Sequence, residues 1–223
     1  MKQTTSLFCI ALLPLLGGCS YSAPINISTS YSLYPNYEDK IPGIYGLYVD
    51  AEKMKQDIQS GVCQSPILRY PTDAKNAFTQ SVYATFENLV GEIRKVDNLV
   101  SATDLRAQGL DGMIKIEVEN LEVGIIDTAG DSEWTRALEG DAEITANVQV
   151  IGHDGNLLSS TVEASDKHKK DVGVFGSSGA LCDGEGGSIV VGKSIEATMK
   201  KVIKRLGENL TNSIRVRNAA PKN

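Results

Sequence analysis

The clearest alternation of apolar and polar positions lies between residues 112 and 167. Ile114, Ile116 and Val118 alternate with Lys115, Glu117 and Glu119, and after Asn120 the apolar positions move to Leu121, Val123 and Ile125. Strand side chains alternate with a period of two, so an apolar set changes parity only across an inserted residue. The pattern predicts one strand over Gly112–Asp127 with a bulge near Glu119–Asn120. Gly130-Asp131-Ser132 then turns the chain. A second strand is predicted from Trp134 to Ile151, with Ala142, Ile144, Ala146, Val148 and Val150 inward and Glu143, Thr145, Asn147 and Gln149 outward. One wet face is typical of an antiparallel sheet. His153-Asp154-Gly155-Asn156 is a hairpin signal. A third strand follows from Leu157 to about Lys167, with Leu158, Val162 and Ala164 inward.

Elsewhere the period lengthens to three or four. Ala74, Phe78, Val82, Phe86, Leu89 and Ile93 form one stripe, which predicts a helix started by Pro71-Thr72-Asp73. The aromatic members of that stripe are read as core packing. A short helix is predicted over Ala102–Gln108, with Gly109 just past its end. A last helix is predicted from Lys193 to about Thr211, with Ile195, Met199, Val202, Ile203, Leu206 and Leu210 as its stripe. Ile44–Asp50 reads as a first strand, and Ala51–Gln59 as a helical turn stopped by Gly61. These elements give an α+β fold with an antiparallel sheet of about four strands. Two amphipathic helices lie on one face, in the order β-α-β-β-β-α, within a single domain over residues 44–212.

The remainder reads as irregular. Residues 20–43 contain Pro24, Pro35 and Pro42 among Ser, Thr and Asn, which predicts a flexible tether reaching roughly 25–30 Å. Six of the eight tyrosines (Tyr21, Tyr31, Tyr34, Tyr37, Tyr45 and Tyr48) fall in or just after it. They are read as rings that pack on the domain, with contact to headgroups or a partner as the sharper alternative. Asp166–Asp171 is a charged, solvated strand end. Gly173–Gly192 is a long glycine-rich loop, and residues 213–223 are a polar, basic tail.

The N-terminus changes the picture. Lys2 precedes an apolar run from Leu7 to Leu16, and Leu16-Gly17-Gly18-Cys19 follows the order of a bacterial lipobox. The run is about half of the roughly 20 residues that a membrane-crossing helix needs. The segment therefore reads as a lipoprotein signal over residues 1–18, with Cys19 lipidated and the membrane bound through that anchor. In the lipoprotein pattern that this segment resembles, Ser20 implies sorting to the outer membrane, with the domain in the periplasm. Loss of Lys2 takes the formal charge from −6 to −7 over about 205 remaining residues. An acidic chain is a poor match for phosphate backbones, so nucleic-acid binding is excluded as a leading class. Cys9 leaves with the signal. Cys63 and Cys182 remain in an oxidising compartment, which reads as a disulfide, with a metal site or a reactive thiol as alternatives.

Three features are weighed as chemistry. Gly187-Ser188-Ile189-Val190-Val191-Gly192-Lys193-Ser194 matches a P-loop letter for letter. About 30 residues follow it, which leaves no later strand for a metal-binding acid. Gly187, Gly192, Lys193 and Ser194 are therefore read as a chance match, and no nucleotide or other cofactor is assigned. His153 and His168 lack a neighbouring nucleophile in the sequence and read as solvated. Asp183-Gly184-Glu185-Gly186 lacks the ligand count of a calcium loop. No metal and no catalytic residue is assigned.

The lipobox, a helix in the first half, the two strands around His153-Asp154-Gly155-Asn156 and the closing helix resemble the YajG-like family of small outer-membrane lipoproteins. Residues 141–165 carry the resemblance best. The loop with Cys182 and the tyrosine-rich stretch depart from it. The resemblance implies a fold and an address, with no chemistry. The leading expectation is an envelope protein that works by binding, accessory or scaffold to an outer-membrane or transport assembly, with an unidentified envelope protein as partner. The alternatives are a hydrolase or nucleotide-using enzyme built on the glycine-rich loop, and a lipid or small-ligand carrier with a groove between helices and sheet.

Overall fold

The computed structural model describes residues 20–27, 30–35, 37–59, 67–132, 135–174 and 184–219. The elements in chain order are β1 (Ser20–Ser22), β2 (Ile25–Asn26), β3 (Ile41–Asp50), β4 (Lys55–Gln59), β5 (Ile67–Asp73), α1 (Lys75–Leu89), β6 (Val90–Lys95), α2 (Ala102–Leu105), β7 (Gly112–Ala129), β8 (Thr135–Gly152), β9 (Gly155–Val174) and α3 (Gly184–Ala219). A single 3-10 turn, Glu52–Met54, leads into β4.

The long strands behave as their periodicity requires. β7, β8 and β9 form an antiparallel ribbon. Val118 pairs with Ala146 and Asn120 with Thr145, so Glu119 is the inserted residue that returns Leu121 to the buried face. His153 and Asp154 form the turn between β8 and β9, closed by the Gly152–Gly155 pair, with Gly155 at φ +113°. Ala142, Ile144, Ala146, Val148, Val150, Val162 and Ala164 are buried, and Leu158 packs at the margin of the core.

The fold is α+β, but the expected four-stranded antiparallel sheet in the order β-α-β-β-β-α is corrected in two ways. The main sheet has the order β6-β3-β7-β8-β9, and β3 runs parallel to both of its neighbours. A second sheet is built from stretches read as tether, helical turn and helix start. β1 and β2 run parallel to β5 in one unbroken register, and β4 pairs antiparallel with β5. Its cause is a short period-two pattern. Leu68, Tyr70 and Thr72 of β5, and Ala23, Ile25 and Ile27 around β2, turn inward and are buried. Residues 20–27 are therefore part of the folded body. Pro71-Thr72-Asp73 ends β5, and Asp73 accepts a hydrogen bond from the Lys75 amide at the start of α1 (3.2 Å). The helix stops at Leu89, so Ile93 belongs to β6.

α1 and α3 pack against each other and cover one face of the main sheet, with the second sheet lying over the early turns of α3. On the opposite face a small apolar cluster (Val100, Leu105, Leu110 and Met113) sits under α2. Among the described residues, no helix is long and apolar enough to cross a membrane.

Candidate functional site

The P-loop-like octet is helical. α3 begins at Gly184, nine residues before the expected Lys193. Amides beyond the first turn of a helix are committed to carbonyls four residues back, so they cannot cradle a phosphate. Its glycines have packing causes instead. A side chain at Gly187 would run into the Tyr70 ring, and one at Gly192 would press on Ile25. The Ser194 hydroxyl is buried and donates to the Gly140 carbonyl (2.7 Å) or the Val190 carbonyl (2.9 Å). Thr198 repeats the contact one turn later, donating to the Ala142 carbonyl (3.1 Å). Lys193 is exposed, close enough to His168 for its charge to lower that imidazole's pKa. A shallow groove of about 310 Å³ runs beside the octet, lined by Pro24, Ile25, Ser188, Lys193 and Glu196 among others.

A segment of the chain before β3 is seated on both long helices. Residues 31–34 run between α1 and α3, with Tyr34 in the left-handed region at φ +58°. The Tyr31 amide donates to Ser81 Oγ (3.1 Å) and the Leu33 amide to Thr85 Oγ1 (3.2 Å). The Asn88 side chain donates to the Leu33 carbonyl (2.7 Å). Ser81 and Thr85 stand one helical turn apart, about 6 Å, close to the roughly 6.7 Å between alternate residues of an extended chain. A hydroxyl ladder on a helix thus takes the place of a neighbouring strand. From the other side, Tyr31 Oη donates to the Glu196 carbonyl (2.8 Å) and Tyr34 Oη to the Lys204 carbonyl (3.2 Å). Burial, and then the Glu196 carboxylate, push the Tyr31 phenol well above its ordinary range, so it stays protonated as a donor. Of the six tyrosines, Tyr31, Tyr34, Tyr37 and Tyr45 pack against the main core and Tyr48 against the smaller cluster. The ladder was missed in the sequence. Its one signal is a pair of hydroxyl residues, Ser81 and Thr85, on the apolar face of α1.

An open cleft of about 700 Å³ lies on the second sheet, where Pro24, Ile27, Lys55, Asp57, Pro71 and Asp73 meet. His153 occupies the β8–β9 turn, and His168 lies thirteen residues further along β9 than Gly155. That separation is about 44 Å of strand, so the two imidazoles cannot act together. Burial, and then Lys193, lower the His168 pKa, with Asp166 opposing. Among the described residues, no three His, Cys, Asp or Glu side chains are placed to hold a metal ion. Cys19, Cys63 and Cys182 lie outside the described residues.

No protein-family model matches the chain, and no curated protein sequence matches it. Among solved structures the chain is similar to a Xanthomonas campestris protein described under the family model DUF330. That match has 13% identity and a TM-score of 0.45, and covers 91% of this chain and 100% of that one. It is also similar to a neuraminyllactose-binding hemagglutinin homolog from Helicobacter pylori, with 10% identity and a TM-score of 0.48 over 85% of this chain and 97% of that one. A minor lipoprotein from Acinetobacter baumannii matches at 11% identity and a TM-score of 0.31, over 74% of this chain and 93% of that one. At these scores no property of those proteins is carried over.

Proposed function

We infer that the chain is a lipid-anchored bacterial envelope protein that works by binding, as an accessory or scaffold to an outer-membrane or transport assembly. The observation that carries this reading is the start of the fold. Ser20, the residue after the lipobox Cys19, is already paired with Ile67 in β1. A lipid on Cys19 would hold the second sheet directly at the bilayer surface, without the flexible tether that the composition suggests. The YajG-like resemblance points to the same address. A disulfide between Cys63 and Cys182 fits the same end of the molecule. Cys63 lies four residues before Ile67 and Cys182 two before Gly184, and Gly187 rests on Tyr70.

The test is the fractionation of Cys19→Ala, combined with in-cell crosslinking and identification of the captured proteins. The reading expects Cys19→Ala to leave the membrane fraction and to lose its crosslinked partner. A variant that stays with the outer membrane overturns the anchor. A second reading, a small-ligand carrier, is favoured by the cleft between Pro24 and Pro71. Native mass spectrometry of purified protein separates the two, because a carrier retains a small molecule that a Pro71→Asp variant loses.

A further inference from the structure

The β7–β8–β9 ribbon has two outer edges. β3 pairs with β7 only as far as Asp50 opposite Glu117. Beyond that point β7 pairs with β8 alone, up to Ala129 opposite Arg136. Gln56 from β4 covers the first part of the open edge by donating to the Leu121 carbonyl. Among the described residues, no strand pairs with the outer edge of Gly124–Ala129. This segment reads Gly-Ile-Ile-Asp-Thr-Ala, and Ile126 is, with Leu99, one of two large apolar side chains that stand exposed among the described residues, at 50%. An apolar, regular edge left unpaired among the described residues is a template for another strand.

We propose that this edge pairs with the same edge of a second copy, antiparallel about Ile126, joining two main sheets into one. A two-fold axis normal to the sheet keeps each face continuous, so partners must share parity. Centring on Ile126 sets the two Ile126 side chains opposite each other. It also sets Gly124 opposite Thr128, Ile125 opposite Asp127, and Glu122 opposite Gly130 of the other copy. No two like charges face each other in this register. Shifting the centre to Gly124 would place Ile126 against Glu122. The acid within the segment, Asp127, is already neutralised by Arg136, whose Nε lies 3.1 Å from its carboxylate. A strand this short buries well under the ~1,000 Å² of a stable interface, so the pairing is weak in dilute solution.

The test is copper-phenanthroline oxidation of concentrated, purified full-length protein carrying Ile126→Cys, with Thr128→Cys and the unmodified chain alongside. Ile126 is half exposed, so neither substitution threatens the fold. Opposed residues have Cα atoms about 4.5–5.5 Å apart, within disulfide range, whereas the two Thr128 positions would be about 14 Å apart. The expected result is a dimer whose linked peptide joins the two introduced thiols, at least about tenfold more abundant than for Thr128→Cys. Equal linking at both positions, or no such linked peptide, overturns the proposal. So does unrelated protein linked at the Ile126→Cys thiol in place of a second copy. Ile126→Lys should also abolish concentration-dependent dimer in sedimentation, and an unchanged dimer would count against the pairing.

Discussion

The two edges of the ribbon are treated in opposite ways. On β9 the Ser165 carbonyl accepts from Lys201 Nζ at 3.0 Å and the Glu163 carbonyl from Arg205, both reaching across from α3. Asn209 adds a bond to Ser160 Oγ (2.9 Å). Further along the strand Lys167, Lys169 and Lys170 supply charge, which resists pairing with another strand. β7 beyond Glu117 has Gln56 over Leu121 and then an aliphatic run with an exposed Ile126. The difference shows that an edge is covered where a packed element brings long donor side chains to its carbonyls, as α3 does with Lys201 and Arg205 and β4 does with Gln56. α3 lies along β9 and gives that edge its guards.

If α3 is what guards β9, loosening α3 should open that edge. The largest effect is expected from the link between Cys63 and Cys182, which would pin the segment before α3 to the segment before β5. Reduction should lower stability by about 2–4 kcal/mol. Thiol labelling of denatured protein, with and without prior reduction, measures the link, and two free thiols in protein taken from the envelope would remove it. Next comes Gly140→Val. A side chain there would meet the α3 backbone at Val190 and Val191 at 2.8 Å, so the helix must shift. The expected cost is about 1–3 kcal/mol in urea unfolding, and an unchanged midpoint would mean that α3 is not seated through Gly140.

A smaller change comes from the guards themselves. Lys201→Ala with Arg205→Ala removes exposed partners worth about 1 kcal/mol or less in stability. It should nevertheless raise light scattering on mild heating, because two carbonyls of β9 become available. If the double variant scatters no more than the unmodified chain, those side chains do not protect the edge. The smallest effect is a pH dependence. The hydrogen bond from Lys201 holds the Asp166 carboxyl below its ordinary pKa, with the backbone bond at Lys167 helping and burial opposing. Its folded-state pKa lies below the unfolded value, so its contribution is present above about pH 4 and is lost as pH falls through the folded value. Burial and Lys193 also lower the His168 pKa. The unfolded chain then binds the extra proton first, and stability falls as pH drops below about 6.5. His168→Gln should flatten the upper step and Asp166→Asn the lower one in thermal melts across pH. Identical profiles for all three proteins would contradict this.

Much of the β7–β8–β9 ribbon was legible in the residues. The parity change after Asn120 located the bulge at Glu119, and His153-Asp154-Gly155-Asn156 located the turn, because both signals are local. The second sheet was not legible. β1, β2 and β5 are short, and parallel partners separated by about 47 positions leave no local trace. Proline and polar residues between Ser20 and Gly43 outweighed the alternation of Ala23, Ile25 and Ile27. The octet at Gly187–Ser194 was rightly set aside as a chance match, but its glycines hid the start of α3 at Gly184. Gly187 is required by the close approach of Tyr70, and Gly192 sits close against Ile25, causes that appear only once the chain is folded. The open edge of β7 was invisible for the same reason, since an edge is defined by where β3 stops.

The anchor at Cys19, next to the paired Ser20, is the central claim. The direct measurement is the intact mass and N-terminal sequence of the protein extracted from bacterial membranes, with metabolic labelling by palmitate. The account predicts a chain that begins at Cys19, blocked at its amine and carrying several acyl chains. An unacylated chain, or one that keeps residues 1–18, would contradict it.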